Sequence, residues 1–373
     1  MKIGTLTLPL WYNYGGIIQA YVLQRILAEL GHEASLIDFH HPIPSSFQLF
    51  RNKLVRGVKK YLFQNGNTVI YPDYYQRQII SKHTLEFINK EIQPITEKVY
   101  SYDELKKIEA DFEAFIVGSD QVWRPNYTPN IENYFLDFTD KIKIAYAASL
   151  GTDVWQYSEA QHEICKSLIQ KFRAVSVREK SALSICKDKF ATEAIQVLDP
   201  TMLLTKHDYL ELCSKYDTPP NTGNLFTYIL DESDRNKTII DQVSEVLNLQ
   251  AFRVMPKPFD DQFQKDDAAY VFPPLTQWLK AFDDAEFIVA DSFHGCVFAI
   301  IFNKPFIAIG NKERGLTRFQ SLFEMFHLAD RLILSPDDLT EDLINAPIDW
   351  LSVNAILDAN KNSSLEFLKT NLE

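Results

Sequence analysis

The segment DSFHG, residues 291–295, brings three chemically useful side chains together between an apolar strand pattern and an apolar helix pattern. Asp291 or Ser292 is expected to cap the helix, which places His294 in its first turn. Free backbone N–H groups and the positive end of the helix dipole attract phosphate or carboxylate at such a position. A histidine there can contact an anion or transfer a proton. The alternative is a packed residue that makes a single hydrogen bond.

Arg178 is a second candidate, because it follows a short apolar strand pattern and is expected to open the next helix. Arginine binds carboxylates and phosphates through two parallel hydrogen bonds, which suits a fixed anion site. The alternative is a surface arginine paired with Glu179 or Asp199, since most arginines are solvated. Further cations follow the last strand pattern near the same edge: Lys312, Arg314 and Arg318.

Two other turns carry residue types that contact sugars. The turn over residues 118–124 contains Asp120, Gln121 and Trp123, although the tryptophan could equally belong to the core and the aspartate could cap a helix. The loop over residues 11–16 combines two glycines, an amide and aromatic residues, and it lacks the G-x-G-x-x-G pattern of dinucleotide sites. Its candidate acceptor contacts are Asn13, Gly15 and Gly16.

Residues 47–63 form a basic stretch without acidic residues, in which apolar side chains recur at helical spacing. A basic amphipathic helix in an acidic protein can lie on an anionic membrane surface. The alternative, slightly favoured because Gly57 weakens an isolated helix, is a helix packed on the domain with its cations outward.

Strand-like and helix-like patterns alternate along most of the chain, as in βα units over a parallel sheet. Strands are predicted at 2–8, 34–39, 114–117, 144–148, 174–177, 195–198, 225–230, 251–254, 287–290 and 305–309. Helices are predicted at 17–30, 158–172, 179–187, 234–247, 274–284 and 293–302. Ligands of open α/β sheets bind beyond the carboxyl ends of the strands, so the turns above are where a site belongs.

The stretch YDTPPNTGN, residues 216–224, has the composition of a linker and separates two such series of elements. The chain is therefore predicted to form two α/β domains that face each other across a cleft. The expected bounds are 1–215 and 216–335, with a helical segment at 336–373 that packs back on the first domain. A length of 373 residues is consistent with two domains, since single cores stop growing at roughly 250–300 residues.

The net charge of −12 argues against non-specific nucleic-acid binding, which depends on Lys and Arg neutralising phosphates. It also means that a local group of cations must hold any anionic substrate. No apolar run reaches the ~18 residues of a membrane span, and the first residues do not resemble a signal peptide. The four cysteines show no metal-binding or disulfide spacing. These features predict a cytoplasmic protein, with residues 47–63 as the part suited to the inner face of the membrane.

Several segments together resemble the polysaccharide pyruvyl transferase family. In chain order they are NYGGIIQAYVLQ (13–24), FIVGSDQVWRPNY (115–127), AYAASLGT (145–152), SVREKSA (176–182), VLDPTMLL (197–204) and DSFHGCVFAIIFNKPFIAIG (291–310). GSDQVW and DSFHG in combination are specific to the family. Residues 48–110 and 205–285 match only loosely.

The resemblance implies two facing Rossmann-like domains, similar to those of two-domain (GT-B-like) glycosyltransferases. It also implies transfer of a pyruvyl group from phosphoenolpyruvate, a co-substrate, onto a sugar or lipid-linked glycan, with no further cofactor and no metal. The functional histidine of the family corresponds to His294 and its donor-contacting arginine to Arg178. Some members carry an arginine where this chain has Ser292. The donor contacts are then assigned to Arg178, Ser292, Phe293, Gly295, Lys312, Arg314 and Arg318.

Two alternatives of other classes stay open at the level of sequence. One is a glycosyltransferase that uses a nucleotide sugar, because the architecture would be similar. The other is a non-catalytic sugar- or anion-binding protein on the same fold, which Ser292 keeps open. For the pyruvyl transferase itself, the acceptor contacts are assigned to Asn13, Gly15, Gly16, Asp120, Gln121 and Trp123.

Overall fold

A computed structural model of the chain describes residues 1–42, 71–260, 262–263, 265–311 and 315–373. The basic segment 47–63 and the candidate donor contacts Lys312 and Arg314 lie outside the described residues. The described residues form two parallel sheets, one of six strands and one of five. These sheets, with helices between their strands, confirm the predicted α/β fold with two Rossmann-like domains.

The first sheet consists of β1 Lys2–Leu6, β2 Glu33–Leu36, β3 Ala114–Val117, β4 Ile142–Ala148, β5 Ala174–Val177 and β6 Ile195–Gln196. Its order is β2-β1-β3-β4-β5-β6, and neighbouring strands run parallel. The accompanying α-helices are α1 Tyr14–Glu29, α2 Tyr74–Ile80, α3 Lys82–Glu91, α4 Tyr102–Ile108, α5 Glu159–Ile169, α6 Lys180–Asp188 and α7 Lys206–Ser214. Strand β3, AFIV, is buried at every position, as expected for a parallel strand covered on both faces.

The second sheet consists of β7 Leu225–Tyr228, β8 Ala251–Phe252, β9 Phe287–Ala290, β10 Phe306–Ile309 and β11 Leu332–Ile333, in the order β11-β10-β9-β7-β8. Its strands are also parallel. The remaining α-helices are α8 Asp234–Leu247, α9 Leu275–Asp284, α10 Phe293–Ile301, α11 Leu316–Phe326, α12 Glu341–Asn345 and α13 Trp350–Leu372. Every residue of α10 is buried, which explains why its sequence is apolar almost throughout.

The first helix starts earlier than the sequence pattern predicts. A loop was expected over residues 11–16 and a helix over 17–30, but α1 begins at Tyr14. The Asn13 side chain caps this helix by accepting the Gly16 N–H at 3.2 Å. The cap satisfies a backbone donor of the first turn and thereby outweighs the low helix propensity of the glycines. Both glycines of the predicted loop consequently lie inside the helix.

The two domains share a packed contact next to their sheets. The ring of Tyr14, at the start of α1, stacks on Trp278 of α9 with 5.3 Å between ring centroids. The Tyr14 hydroxyl donates to the carbonyl oxygen of Pro273 at 2.8 Å. Both rings are fully buried and belong to a core cluster that spans the two sheets. This contact brings the carboxyl edge of the first sheet against that of the second.

The last helix, α13, follows the second sheet but packs on the first. The Leu198 N–H, just after β6, donates to Ser364 Oγ at 3.0 Å. Phe367 lies 6.2 Å from Tyr146 of β4, measured between ring centroids. The chain thus passes from the first sheet to the second after β6 and returns to the first sheet in α13.

Candidate active site

Four side chains from two domains meet where the carboxyl ends of the strands face each other. Arg178 follows β5, Asp199 follows β6, Asp120 follows β3, and His294 lies in the first turn of α10 after β9. All four are buried. The structure therefore brings together the two residues that the sequence marks most strongly, Arg178 and His294. It joins them through Asp199.

The Arg178 guanidinium is held by carboxylates from three turns. Its Nη1 donates to Asp199 Oδ2 at 2.8 Å, and its Nη2 donates to Asp120 Oδ1 at 3.3 Å. Its Nε lies 3.8 Å from Glu179 Oε2. Burial acts to lower the pKa of Arg178, but the three carboxylates outweigh burial and the pKa is raised. Arg178 is therefore a charged residue inside the protein, with 1% of its side chain exposed.

Asp199 pairs with Arg178, as the surface alternative expected, but that alternative is wrong about the location because the Asp199 side chain is fully buried. Ser119 Oγ donates to Asp199 Oδ2 at 2.9 Å. Asp199 Oδ1 accepts hydrogen bonds from the Thr201 N–H at 3.0 Å and from the Thr201 hydroxyl at 2.8 Å. Burial acts to raise the pKa of Asp199, but His294, Arg178 and the Thr201 N–H outweigh burial and lower the pKa. The carboxylate therefore stays ionised at neutral pH.

His294 belongs to the second domain, and its ring contacts the first domain. Its Nε2 is 3.7 Å from Asp199 Oδ2, which is too long for a hydrogen bond but close enough for a strong electrostatic interaction. The Nε2 atom is buried and has no hydrogen-bond partner among the described residues. On its other side the ring packs on Gly15 of α1, where an added Cβ would come within 2.0 Å of Nδ1. The glycine therefore allows the imidazole to approach α1.

The start of α10 is capped differently from the prediction. Ser292 is the N-cap residue, but its side chain makes no capping hydrogen bond. Asp291 instead accepts the backbone N–H groups of Leu230 and Asp231, at 2.7 and 2.9 Å. The predicted side-chain cap is wrong because the loop after β7 engages this carboxylate. The backbone donors of the first turn thus receive no side-chain cap from Ser292.

Phe293 and Gly295 have different surroundings. The Phe293 ring lies 4.6 Å from the Arg178 guanidinium carbon and 5.9 Å from that of Arg318, measured from the ring centroid. Gly295 faces its own domain, since an added Cβ would come within 2.8 Å of Ala290 Cβ. The structure therefore places Phe293 at the site and Gly295 in the packing behind it.

Arg318, in the first turn of α11, is the second cation beside Phe293. Burial and the positive charge of Arg178 lower the pKa of Arg318 to about 10. The two guanidinium groups, which both contact the Phe293 ring, thus repel each other. A bound anion near Phe293 would reduce that repulsion.

Asn13, Gly16 and Asp120 line a cavity of about 190 Å³ beside this cluster. Asp120 has a left-handed backbone conformation with φ +68°, which aspartate tolerates better than most residues. Its carboxylate accepts hydrogen bonds from Asn13 Nδ2, Arg178 Nη2 and the Gln121 N–H. Three predicted acceptor contacts therefore share one pocket.

Trp123 and Gln121 do not line this cavity. Trp123 is fully buried, stacks on Phe135 with centroids 5.0 Å apart, and donates its Nε1–H to the Tyr134 carbonyl oxygen. The Gln121 side chain accepts a hydrogen bond from Arg124 at 2.9 Å. Trp123 is therefore a core residue, which was the alternative to its role as a sugar contact.

Glu179 is a further buried residue to which the sequence pattern assigned no site role. Its Oε1 accepts Ser149 Oγ and the Leu150 N–H at 2.8 and 2.9 Å, which fixes the loop after β4. Glu179 is also the N-cap residue of α6, so Arg178 lies in the turn before this helix and does not open it as predicted. A carboxylate in the turn that follows a strand is the signal that could have identified both Glu179 and Asp199.

The cysteines and possible metal ligands of the described residues form no additional site. All four cysteines are buried and free. Within the ranges that the structure describes, no group of three His, Cys, Asp or Glu residues could hold a metal ion. No helix in this part of the chain is sufficiently long and apolar to cross a bilayer.

Comparison with known proteins identifies a family. Residues 13–313 match the model of the polysaccharide pyruvyl transferase family, a range that contains Asp120, Arg178, Asp199 and His294. No curated protein matched the chain.

Solved structures with a similar arrangement are distant in sequence. The UDP-GlcNAc 2-epimerase of Neisseria meningitidis, bound to UDP-GlcNAc, is 10% identical with a TM-score of 0.49, over 100% of this chain and 99% of that one. UGT89C1 of Arabidopsis thaliana, complexed with UDP, is 9% identical with a TM-score of 0.48, over 98% of both chains. The UDP-GlcNAc 2-epimerase of Methanocaldococcus jannaschii is 12% identical with a TM-score of 0.46, over 92% and 90% of the two chains.

Proposed function

Because the chain belongs to the polysaccharide pyruvyl transferase family, we propose that it transfers a pyruvyl group from phosphoenolpyruvate to a sugar of a surface polysaccharide or its precursor. The product is a pyruvate ketal, and phosphate is released. The observation that carries this proposal is the meeting of Arg178 and His294, from different domains, on the carboxylate of Asp199. This arrangement combines a proton-transfer group with fixed cations at the edge where ligands of α/β sheets bind.

The reaction needs one proton on the methylene carbon of the donor and the loss of two hydroxyl protons from the acceptor. Protonation of that carbon makes C2 electrophilic and oxocarbenium-like. One sugar hydroxyl forms a C–O bond to C2, the C–O bond to phosphate breaks, and a second hydroxyl closes the ketal. One hydroxyl proton balances the new methyl group and the other leaves on phosphate.

We assign proton transfer to His294. Its Nε2 has no hydrogen-bond partner in the described part of the chain, so this nitrogen is available to a reacting group. The Asp199 carboxylate, 3.7 Å from Nε2, would stabilise the positive charge that the imidazole carries after it takes up a hydroxyl proton. General acid–base catalysis of this kind typically contributes ~10²–10⁴-fold in rate.

The donor is assigned to the space beside Phe293, Arg318 and the first turn of α10. Arg178 is held by three carboxylates, and Arg318, on the same Phe293 ring, is assigned as a second positive charge for the donor. The Arg178 Nε has no hydrogen-bond partner in the described residues and can offer an N–H to the donor. Ser292, where some family members carry arginine, contributes its hydroxyl and the adjoining backbone donors. Lys312 and Arg314 remain proposed donor contacts.

Donor binding followed by product formation tests the function. Calorimetry should show phosphoenolpyruvate binding to the wild-type protein, and a panel of sugars and lipid-linked glycans should identify an acceptor that supports phosphate release. Mass spectrometry should then show a pyruvyl ketal on that acceptor. Binding of a nucleotide sugar without binding of phosphoenolpyruvate would contradict the proposal and favour a glycosyltransferase.

His294→Ala is the matched variant for this assay. We expect phosphate release to fall ~10²–10⁴-fold, because the proton-transfer group is removed, while donor affinity changes little. Circular dichroism should show an unchanged fold. Near-normal turnover would contradict the role of His294 in proton transfer, but phosphoenolpyruvate would still be the donor.

A further inference from the structure

The cavity beside the central cluster lies beyond the carboxyl ends of β1 and β3. It has a volume of about 190 Å³, and Asn13, Gly16 and Asp120 form the side nearest the cluster. Gly16 follows Gly15, on which the His294 ring packs. The cavity and the proposed proton-transfer group therefore adjoin the same turn of α1.

Arg77 of α2 brings a positive charge to this cavity. Its Nε donates to the Pro72 carbonyl oxygen at 3.2 Å, and none of the carboxylates in the described residues forms an ion pair with it. Asp120, an acidic residue of the cavity lining, is already engaged by Arg178, Asn13 and a backbone N–H. The charge of Arg77 consequently lacks a counter-charge from the described protein.

His41 adds a second basic group to the same lining. Burial, the charge of Arg77 and the charge of His40 lower the pKa of His41. His40 is itself hydrogen-bonded to Asp38 at 2.6 Å, so the Asp38 carboxylate is directed to that residue. Two basic groups that disfavour each other's charge across one cavity are stabilised together by an anion between them.

Aromatic residues complete the cavity. Trp11 and Tyr127 both line it, and the Tyr127 ring is covered by the Arg124 guanidinium at 4.3 Å. Aromatic faces beside a cation suit a sugar ring that carries a negative group. The volume is below the roughly 300 Å³ at which typical ligand pockets begin, so it suits one charged group and part of a ring.

We propose that this cavity binds an anionic group of the acceptor sugar, a carboxylate or a phosphate, through Arg77 and His41. The inference rests on the proposed function, because it assigns the acceptor to this side of α1 and the donor to the side of Phe293. The enzyme then selects acidic acceptors and places their hydroxyls toward His294. Arg77 is a specificity-determining residue in this account.

Calorimetry with three sugars that share a ring tests the inference: glucose, glucuronate and glucose 1-phosphate. At least one anionic sugar should bind wild-type protein about 10-fold or more tightly than glucose, and the tighter of the two identifies the carboxylate or the phosphate as the preferred group. Arg77→Gln should abolish that preference. Lys82→Gln, which removes an exposed positive charge from the neighbouring helix, should retain it.

Phosphoenolpyruvate affinity separates this inference from its alternatives. Arg77→Gln should bind phosphoenolpyruvate as the wild type does, and its melting temperature should be unchanged. A loss of donor affinity in Arg77→Gln would assign the cavity to the donor and overturn the inference. Equal affinities for the three sugars, or no binding of any of them, would also overturn it. Failure of the proposed function would appear differently, as absence of phosphate release despite tight binding of an anionic sugar.

Discussion

Asp199 is the residue on which the site is organised. It pairs with Arg178, lies 3.7 Å from His294, and receives hydrogen bonds from Ser119 and Thr201. A buried carboxylate of this kind costs desolvation energy that its partners must offset. Its lowered pKa indicates that they do so. We therefore regard Asp199 as a positioning residue that orients both functional side chains.

Asp199→Asn should reduce stability in a pH-dependent manner. We expect a loss of about 3 kcal/mol in the free energy of unfolding at neutral pH, near the lower limit for breaking a buried ion pair, because Asp120 and Glu179 still face Arg178. The folded-state pKa of Asp199 is lowered, so its stabilisation is fully present above its ordinary pKa, about 4, and declines as the pH falls below it.

Urea denaturation of both proteins at a series of pH values measures this difference. The difference in the free energy of unfolding between wild type and Asp199→Asn should be constant near neutral pH and should decrease in acid. A difference in the free energy of unfolding that increases as the pH falls would contradict the assignment of an ionised, paired Asp199.

At the scale of elements, the first turns of α1 and α10 form the contact that builds the site. The first turn of α1 is fixed by the Asn13 cap, and it offers Gly15 to the ring of His294. The first turn of α10 supplies Phe293 and His294 from the other domain. Neither helix could define the site alone, because each contributes one side of it.

Gly15→Ala should displace His294 while leaving the secondary structure intact. The new Cβ would lie 2.0 Å from Nδ1, so either the imidazole or the helix must move. Overpacking of this kind costs about 1–3 kcal/mol, and we expect phosphate release to fall as well. Thermal denaturation and the phosphate-release assay measure the two effects.

The double variant Gly15→Ala/His294→Ala provides the control. Removing the imidazole should relieve the overlap, so adding Gly15→Ala to His294→Ala should change stability by less than ~0.5 kcal/mol. Equal destabilisation in both backgrounds would show that His294 is not the group that the new methyl meets.

At the scale of the whole molecule, the site is closed by contact between the domains. Asp199 is fully buried, and Arg178 and His294 expose 1% and 8% of their side chains. Around them, the Lys180 N–H donates to Ser321 Oγ of α11 at 2.9 Å, and Gly315 lies against the Gly151 carbonyl oxygen. We infer that the donor reaches the site when the domains move apart, as in other enzymes with hinged domains.

A reversible cross-link between the domains tests this movement. In the double variant Lys180→Cys/Ser321→Cys, oxidation should form a disulfide across the domain contact and abolish most phosphate release. Reduction should restore it. The four native cysteines are buried and free, so the two single variants are suitable controls. Full activity in a completely oxidised sample would show that substrates reach the site without domain separation.

The sequence by itself determined the local features of this protein. The predicted bounds of β3, β5 and β9 match the strands, and at β3 and β9 burial on both faces leaves a continuous apolar signal. Because ligands of open α/β sheets bind beyond the carboxyl ends of strands, the turns after these strands could be identified as ligand-binding positions from the sequence. The segments that resemble the family were also read correctly, since residues 13–313 match it.

Only the tertiary structure decided which of these turns meet and which side chains reach the cleft. Trp123 follows the same strand as Asp120, yet its ring belongs to the core. Arg178 resembles a solvated cation in the sequence but is buried among three carboxylates. The contact of Gly15 with His294 joins residues of different domains. Hydrophobic periodicity reports the burial of a local face, whereas such contacts depend on how two separately folded sheets are placed against each other.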